Sequence, residues 1–204
     1  MITIIDYGVG NINSFVNVYK RVNVPVKIAR SVNDLRDARK IILPGVGHFD
    51  HAMTKLIKSG MREKLDELVL VDKLPVIGIC VGMQMMGNNS DEGSIQGLGW
   101  LDACTKKFDE TKINQVTRLP HMGWNDVIPV KINPLFKGLE EESLFYFLHS
   151  YYFKCDDPSD ILATSQYGEL FACSAQKENI YGIQFHPEKS HKNGEMLLHN
   201  FAKL

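Results

Sequence analysis

Up to Met86 the sequence repeats one pattern: a short apolar run, a glycine-bearing or charged turn, then apolar residues at helical spacing. The apolar runs are Ile2–Ile5, Val24–Ala29, Lys40–Leu43 and Pro75–Ile79, lengths that suit buried strands. Between them, Phe15, Val18, Tyr19 and Val22 share a helical face. Ser31 reads as the cap of a short charged helix reaching Arg39. Phe49–Ile57 and Met61–Leu70 read as helices broken at Gly60, and Val81–Met86 as a short helix. Strands apolar on both faces, alternating with helices, need cover on both sides. A parallel sheet between two helical layers supplies it.

After Met86 the pattern changes. Trp100–Phe108, Gly123–Val130, Leu144–Lys154, Ile161–Tyr167, Leu170–Gln176 and Ile180–Phe185 read as strands with short connections. Gly194–Leu204 reads as a closing helix with Met196, Leu197, Phe201 and Leu204 inward. The expected fold class is α/β: a mostly parallel central sheet with helices on both faces, plus extra antiparallel strands. No linker, repeat or charge run marks a boundary, so residues 1–204 are expected to form one domain.

Charge excludes several functions. Lys and Arg number 23 against 24 Asp and Glu, which leaves no electrostatic footprint for nucleic acid or an anionic membrane. The longest apolar runs fall far short of the ~20 residues of a membrane span. Asp6 ends the first run early and no basic segment precedes it, so the N-terminus reads as a strand and not a signal peptide. The four cysteines, Cys80, Cys104, Cys155 and Cys173, are scattered and form no C-x-x-C. A reduced, cytoplasmic setting is expected.

The chemistry is expected where parallel strands end. The fourth strand runs into Gly78-Ile79-Cys80-Val81-Gly82, the strand-to-helix turn of a nucleophile elbow with cysteine in place of serine. Side chains at Gly78 or Gly82 would crowd that turn, and the start of a helix favours thiolate at Cys80. The other three cysteines have no such setting and read as small buried hydrophobes. A thiol nucleophile needs a base, and the base needs an orienting group. Of the seven histidines, His186 ends the strand that should emerge beside Cys80. Glu188 follows two residues later, close enough to fix its tautomer. Cys80 sulfur should therefore reach one His186 nitrogen and Glu188 the other. Acyl transfer also needs oxyanion donors. The Val81 N–H supplies one, and the loop Pro44-Gly45-Val46-Gly47 supplies the second or is simply a tight turn.

No metal or cofactor is expected. His48 and His51 flank Asp50, but no third ligand follows at a recognised spacing. The glycines of Asp6–Asn11 lack the full G-x-G-x-x-G, and no Gly-Lys-Ser/Thr follows.

Taken together these residues resemble the class I, triad-type glutamine amidotransferases, whose fold is flavodoxin-like. The shared runs are Asp6-Tyr7-Gly8-Val9-Gly10-Asn11, Leu43 to Phe49, Gly78 to Gln84, Ser90-Asp91-Glu92-Gly93, Pro120 to Asn125, Phe147 to Tyr151 and Gln184 to Ser190. The cysteine elbow and His186-Pro187-Glu188 are common to the wider family. His121-Met122-Gly123-Trp124-Asn125 and His149-Ser150-Tyr151 are narrower. They are similar to the glutaminase subunits that feed ammonia to a (β/α)8-barrel cyclase of the HisF type in histidine biosynthesis.

The resemblance implies that Cys80 attacks the glutamine side-chain amide, that His186 shuttles the proton, and that Glu188 holds His186. It implies glutamine contacts at Gly47, Gln84, Glu92, Ser150 and Tyr151, and an oxyanion hole from Val81 and the Gly45–Val46 peptide. A partner surface is expected around Asn11, Trp124 and Lys189. The glycine-flanked Val46 permits a peptide flip, so the oxyanion hole is expected to be incomplete until the partner docks. Trp100 and Asp102 depart from the pattern, which there has smaller apolar residues and a proline. Met85-Met86-Gly87-Asn88-Asn89 is also unusual. A paralogue supplying ammonia for sugar amidation would share the same catalytic half.

Overall fold

A computed structural model describes residues 1–139, 141 and 143–204. Four apolar runs become the parallel strands β1 (Ile2–Ile5), β2 (Val26–Ala29), β3 (Ile41–Gly45) and β4 (Val76–Cys80). β1, β3 and β4 are buried along their whole length. A fifth strand, β12 (Ile180–Ile183), pairs parallel with β4, giving the order β2-β1-β3-β4-β12. The first helix, α1 (Ile12–Arg21), buries Phe15, Val18 and Tyr19. α2 (Phe49–Lys58) buries Phe49, Ala52, Met53 and Leu56. α3 (Arg62–Asp66), α4 (Val81–Met85) and α5 (His191–Lys203) complete the helical cover.

The rest of the sheet is mainly antiparallel. From β12 the order continues through β11 (Glu169–Lys177), β10 (Ile161–Tyr167), β7 (His121–Pro129) and β8 (Ser143–His149). β6 (Ala103–Lys107) and β9 (Tyr151–Cys155) form a side branch joined to β11, and the two-residue β5 (Asn89–Ser90) pairs with β6. The mostly parallel centre, the helical cover and the added antiparallel strands match the fold class expected from the sequence.

Local departures have physical causes. The expected helix to Arg39 is one 3-10 turn, Val32–Leu35. Asp34 accepts from the Ser31 backbone N–H at 2.9 Å, the reciprocal half of a capping box. Met61–Leu70 splits into α3 and a π-helical turn, Glu67–Val71. The single strand expected over Leu144–Lys154 is two, β8 and β9, broken at Ser150. There the chain leaves β7 and pairs with β6 and β11 instead.

Register brings three strand ends to one edge. Gly45 lies opposite Cys80, and Ile79 lies opposite Ile183. The 45–47 loop, the Cys80 elbow and the segment leading to His186 therefore leave the sheet side by side. Among the described residues, no helix is long and apolar enough to cross a membrane.

Candidate active site

Cys80 joins β4 to α4 with φ 55° and ψ −114°. A non-glycine residue enters that region at a cost of roughly 1–3 kcal/mol. Close packing holds it there. A Cβ on Gly82 would run into the Leu43 carbonyl oxygen, and one on Gly78 would lie 2.7 Å from the Gly82 oxygen. Tyr7 fixes the neighbouring loop by donating its O–H to the Pro44 carbonyl at 2.6 Å. Burial, and then the charge of Cys80, keep the Tyr7 phenol protonated well above its usual range.

Cys80 is only 4% exposed, yet it lines a cavity of about 720 Å³, a size suited to a small molecule. His186 stands beside it. Its Nδ1 lies 2.8 Å from Glu188 Oε1, and Cys80 is close enough to act on its pKa, while the Cys80 thiol itself points to the Leu148 carbonyl at 3.9 Å. Since Nδ1 belongs to Glu188, Nε2 is the nitrogen left for the sulfur. Burial works against a charged imidazole. Cys80 and the hydrogen bond to Glu188, with their negative charges, override burial and raise the His186 pKa to about 10. The ring thus keeps its proton through neutral pH. The segment is pinned to β8: His186 N–H donates to the Tyr146 carbonyl at 2.8 Å. Ser190 Oγ donates to the His186 carbonyl and accepts from Tyr146 N–H at 3.0 Å.

A thiol, an imidazole and a carboxylate gathered at a cavity suit acyl transfer through a thioester. The family model for glutamine amidotransferase class-I matches residues 3–204. The chain belongs to the class-I glutamine amidotransferase family. It is 54% identical over all 204 residues, covering the whole of both chains, to the imidazole glycerol phosphate synthase subunit HisH of Bdellovibrio bacteriovorus. It is 48% identical, again over the whole of both chains, to subunit HisH 2 of Pseudomonas aeruginosa. A crystal structure of a glutamine amidotransferase aligns with TM-score 0.76 at 18% identity, covering 100% of this chain and 99% of that one. That likeness shows the fold.

This class-I glutamine amidotransferase gathers most of the expected site residues around the cavity. Val46, Gly47 and Val81 line it beside Cys80. Gln84, Glu92, Ser150 and Tyr151, the residues expected to contact glutamine, line the same cavity, as do Asn11 and Lys189. Gly45 lies on β3, where a Cβ would strike the Gly82 nitrogen. Trp124 lies outside, in a neighbouring hollow of about 430 Å³, and is 47% exposed. Val46 is 42% exposed. Glu92 has a structural bond as well, accepting from the Phe49 N–H at the start of α2 at 2.8 Å.

Sequence reasoning missed two groups of the site. Gln184, fully buried, donates its Nε2 to Cys80 sulfur at 3.6 Å, and its Oε1 accepts from Gln84 at 3.0 Å. His149 also lines the cavity. Both sit inside runs shared with the family, but their roles arise only from tertiary contacts. His48 proves to be the cap of α2, accepting from Asp50 N–H at 3.2 Å. Among the described residues, no group of three or more His, Cys, Asp or Glu could hold a metal ion. Burial pushes the Cys155 thiol up to about 12 and that of Cys173 higher still, so both stay protonated.

Proposed function

We propose that this chain is the glutaminase subunit of an imidazole glycerol phosphate synthase, with Cys80 as nucleophile, His186 as proton carrier and Glu188 as its holder. The observation that carries the reading is the gathering of Cys80, His186 and Glu188 at the cavity, in a chain that aligns end to end with HisH subunits.

The reaction runs in two halves. The proton shared by Cys80 and His186 already sits on the imidazole, and the Cys80 sulfur attacks the side-chain amide carbon of glutamine. The carbonyl oxygen becomes an oxyanion, held by the Val81 N–H and the Gly45–Val46 peptide. His186 then protonates the amide nitrogen as the C–N bond breaks, releasing ammonia and leaving a glutamyl thioester. Water, deprotonated by His186, attacks the thioester. Glutamate leaves as the Cys80 sulfur departs, and the proton returns to the pair. Gly47, Gln84, Glu92, Ser150 and Tyr151 hold the substrate.

Ammonia must reach its acceptor without meeting bulk water, so the partner covers the cavity mouth. Asn11 and Lys189 stand at that mouth and Trp124 beside it. His191 stacks on Trp124 with ring centroids 5.2 Å apart and planes 10° apart. Lys189 Nζ lies 5.5 Å from the Tyr146 ring centre. Met122 faces Leu148 across β7 and β8, and both are exposed. This apolar, aromatic rim suits a protein partner, read here as a (β/α)8 cyclase in the cytoplasm. There ammonia joins a phosphoribosyl-formimino intermediate. The exposed Val46, between two glycines, allows its peptide to turn and complete the oxyanion hole on docking.

The test is glutamate release by the chain alone, and mixed with the histidine-pathway cyclase and its nucleotide ligand. Strong stimulation is the expected result. Equal turnover with and without the cyclase would refute activation by docking. It would also move the acceptor to a sugar-modifying synthase.

A further inference from the structure

Two buried histidines take no part in the chemistry above, and they touch. The pairing of β7 with β8 sets His121 opposite His149, and His121 Nδ1 lies 2.9 Å from His149 Nε2. A single proton bridges them. His149 Nδ1 lies 2.7 Å from the Tyr151 carbonyl oxygen, which can only accept, so Nδ1 carries the His149 proton and Nε2 accepts. The bridging proton then belongs to His121 Nδ1.

His121 Nε2 faces Asn125 Nδ2 at 3.1 Å. Asn125 is fixed in orientation, because Nδ2 also donates to the Gln166 carbonyl at 2.9 Å and Oδ1 accepts from Asp126 N–H at 2.9 Å. His121 Nε2 therefore accepts. Each ring carries one proton, on Nδ1, and donors run in one direction from Asn125 through His121 and His149 to Tyr151. The surroundings agree. His121 lies stacked between Tyr167, at 4.0 Å, and Phe147, at 4.7 Å. Burial drives the His121 pKa down to about 4. Burial, and then the charge of His121, drive that of His149 down to about 3.

The chain of donors ends at the cavity wall. The Tyr151 carbonyl also accepts from Gln84 Nε2 at 3.3 Å, and Gln84 is tied through Gln184 to the Cys80 sulfur. We propose that His121 and His149 are positioning residues, whose locked tautomers hold the Ser150–Tyr151 backbone against glutamine and, through Gln84 and Gln184, aim the Cys80 sulfur. They move no proton in the reaction. The inference rests on reading the cavity as the glutamine site.

The test uses the chain assembled with its cyclase and labelled with ¹⁵N-histidine. Nitrogen NMR at neutral pH is expected to show His121 and His149 both uncharged with the proton on Nδ1, joined by a coupling across the shared hydrogen bond. His149→Phe keeps the packing and removes the donor to Tyr151. It is expected to raise KM for glutamine about tenfold, the scale of one lost buried hydrogen bond, with a smaller fall in kcat. His149→Asn, whose amide nitrogen sits near the Nδ1 position, should recover most of that KM.

An Nε2–H tautomer or a charged ring at neutral pH would overturn the proposal. So would a folded His149→Phe enzyme with wild-type KM, or an Asn variant as impaired as Phe. The NMR measurement needs no variant, so it decides even if His149→Phe does not fold. A wild-type enzyme that cleaves no glutamine would instead overturn the glutamine reading, while its spectrum still reports on the pair.

Discussion

Glu188 holds His186 with one oxygen only: Oε1 lies 2.8 Å from His186 Nδ1, while Oε2 is buried with no hydrogen-bond partner among the described residues. A carboxamide could keep that one hydrogen bond and lose the charge. Glu188→Gln should therefore keep the imidazole oriented but less basic. We expect kcat for glutamate release to fall by roughly 10²–10⁴-fold, the span of general acid–base contributions, with a smaller change in KM. Steady-state kinetics of the folded variant check this.

The charged state of His186 links stability to pH. Its folded pKa, about 10, lies above the unfolded value of roughly 6.5. The stability it contributes is complete below about pH 6.5 and is lost as pH rises towards 10. Denaturant unfolding from pH 6 to 10 should show wild type losing more stability than His186→Phe. In Cys80→Ala the His186 ring should titrate lower than in wild type, because one of the groups raising it is gone.

The elbow leaves no room for a methyl group. A Cβ on Gly82 meets the Leu43 carbonyl oxygen, and that oxygen belongs to a buried strand that cannot retreat. Gly82→Ala should cost about 1–3 kcal/mol, the usual scale of overpacking, and also displace Cys80. Urea unfolding and glutaminase assays on one preparation should show both losses together.

Trp100, a departure from the family pattern, has a local explanation. It is buried, and its indole N–H donates to Asp66 at 2.6 Å. Asp102, the companion departure, pairs with Lys177 at 2.7 Å on the surface. Trp100→Phe should lower stability by about 1–3 kcal/mol, as expected for a hydrogen bond to a charged acceptor. Its kcat and KM for glutamine should stay those of wild type, which thermal melting and kinetics test together.

Cys80, His186 and Glu188 were legible in the sequence because parallel strands that are apolar throughout end at a common edge. A glycine-bracketed cysteine at one such end and a histidine at another then have little choice but to meet. The break at Ser150 was not legible. Leu144–Lys154 is a continuous strand-forming run, and only the change of pairing partners divides it. The two-residue β5 is likewise created by its neighbour β6.

The histidine pair was hidden for the same reason. His121 and His149 are far apart in sequence, and only the β7–β8 register sets them opposite each other. Given that register, the alternation of Phe145, Phe147 and His149 on the buried face of β8 would have pointed to a histidine in the core. Gln184 stood in plain view beside His186. A buried amide shows no role until its partners, Gln84 and Cys80, are known.

The central claim is a covalent intermediate on Cys80. The most direct measurement is acid quenching of the enzyme during glutamine turnover, followed by intact-mass and peptide mass spectrometry. The account predicts a glutamyl adduct on the peptide carrying Cys80, absent from Cys80→Ala. Turnover of glutamine by Cys80→Ala, or an adduct on Cys104, Cys155 or Cys173 in its place, would contradict it.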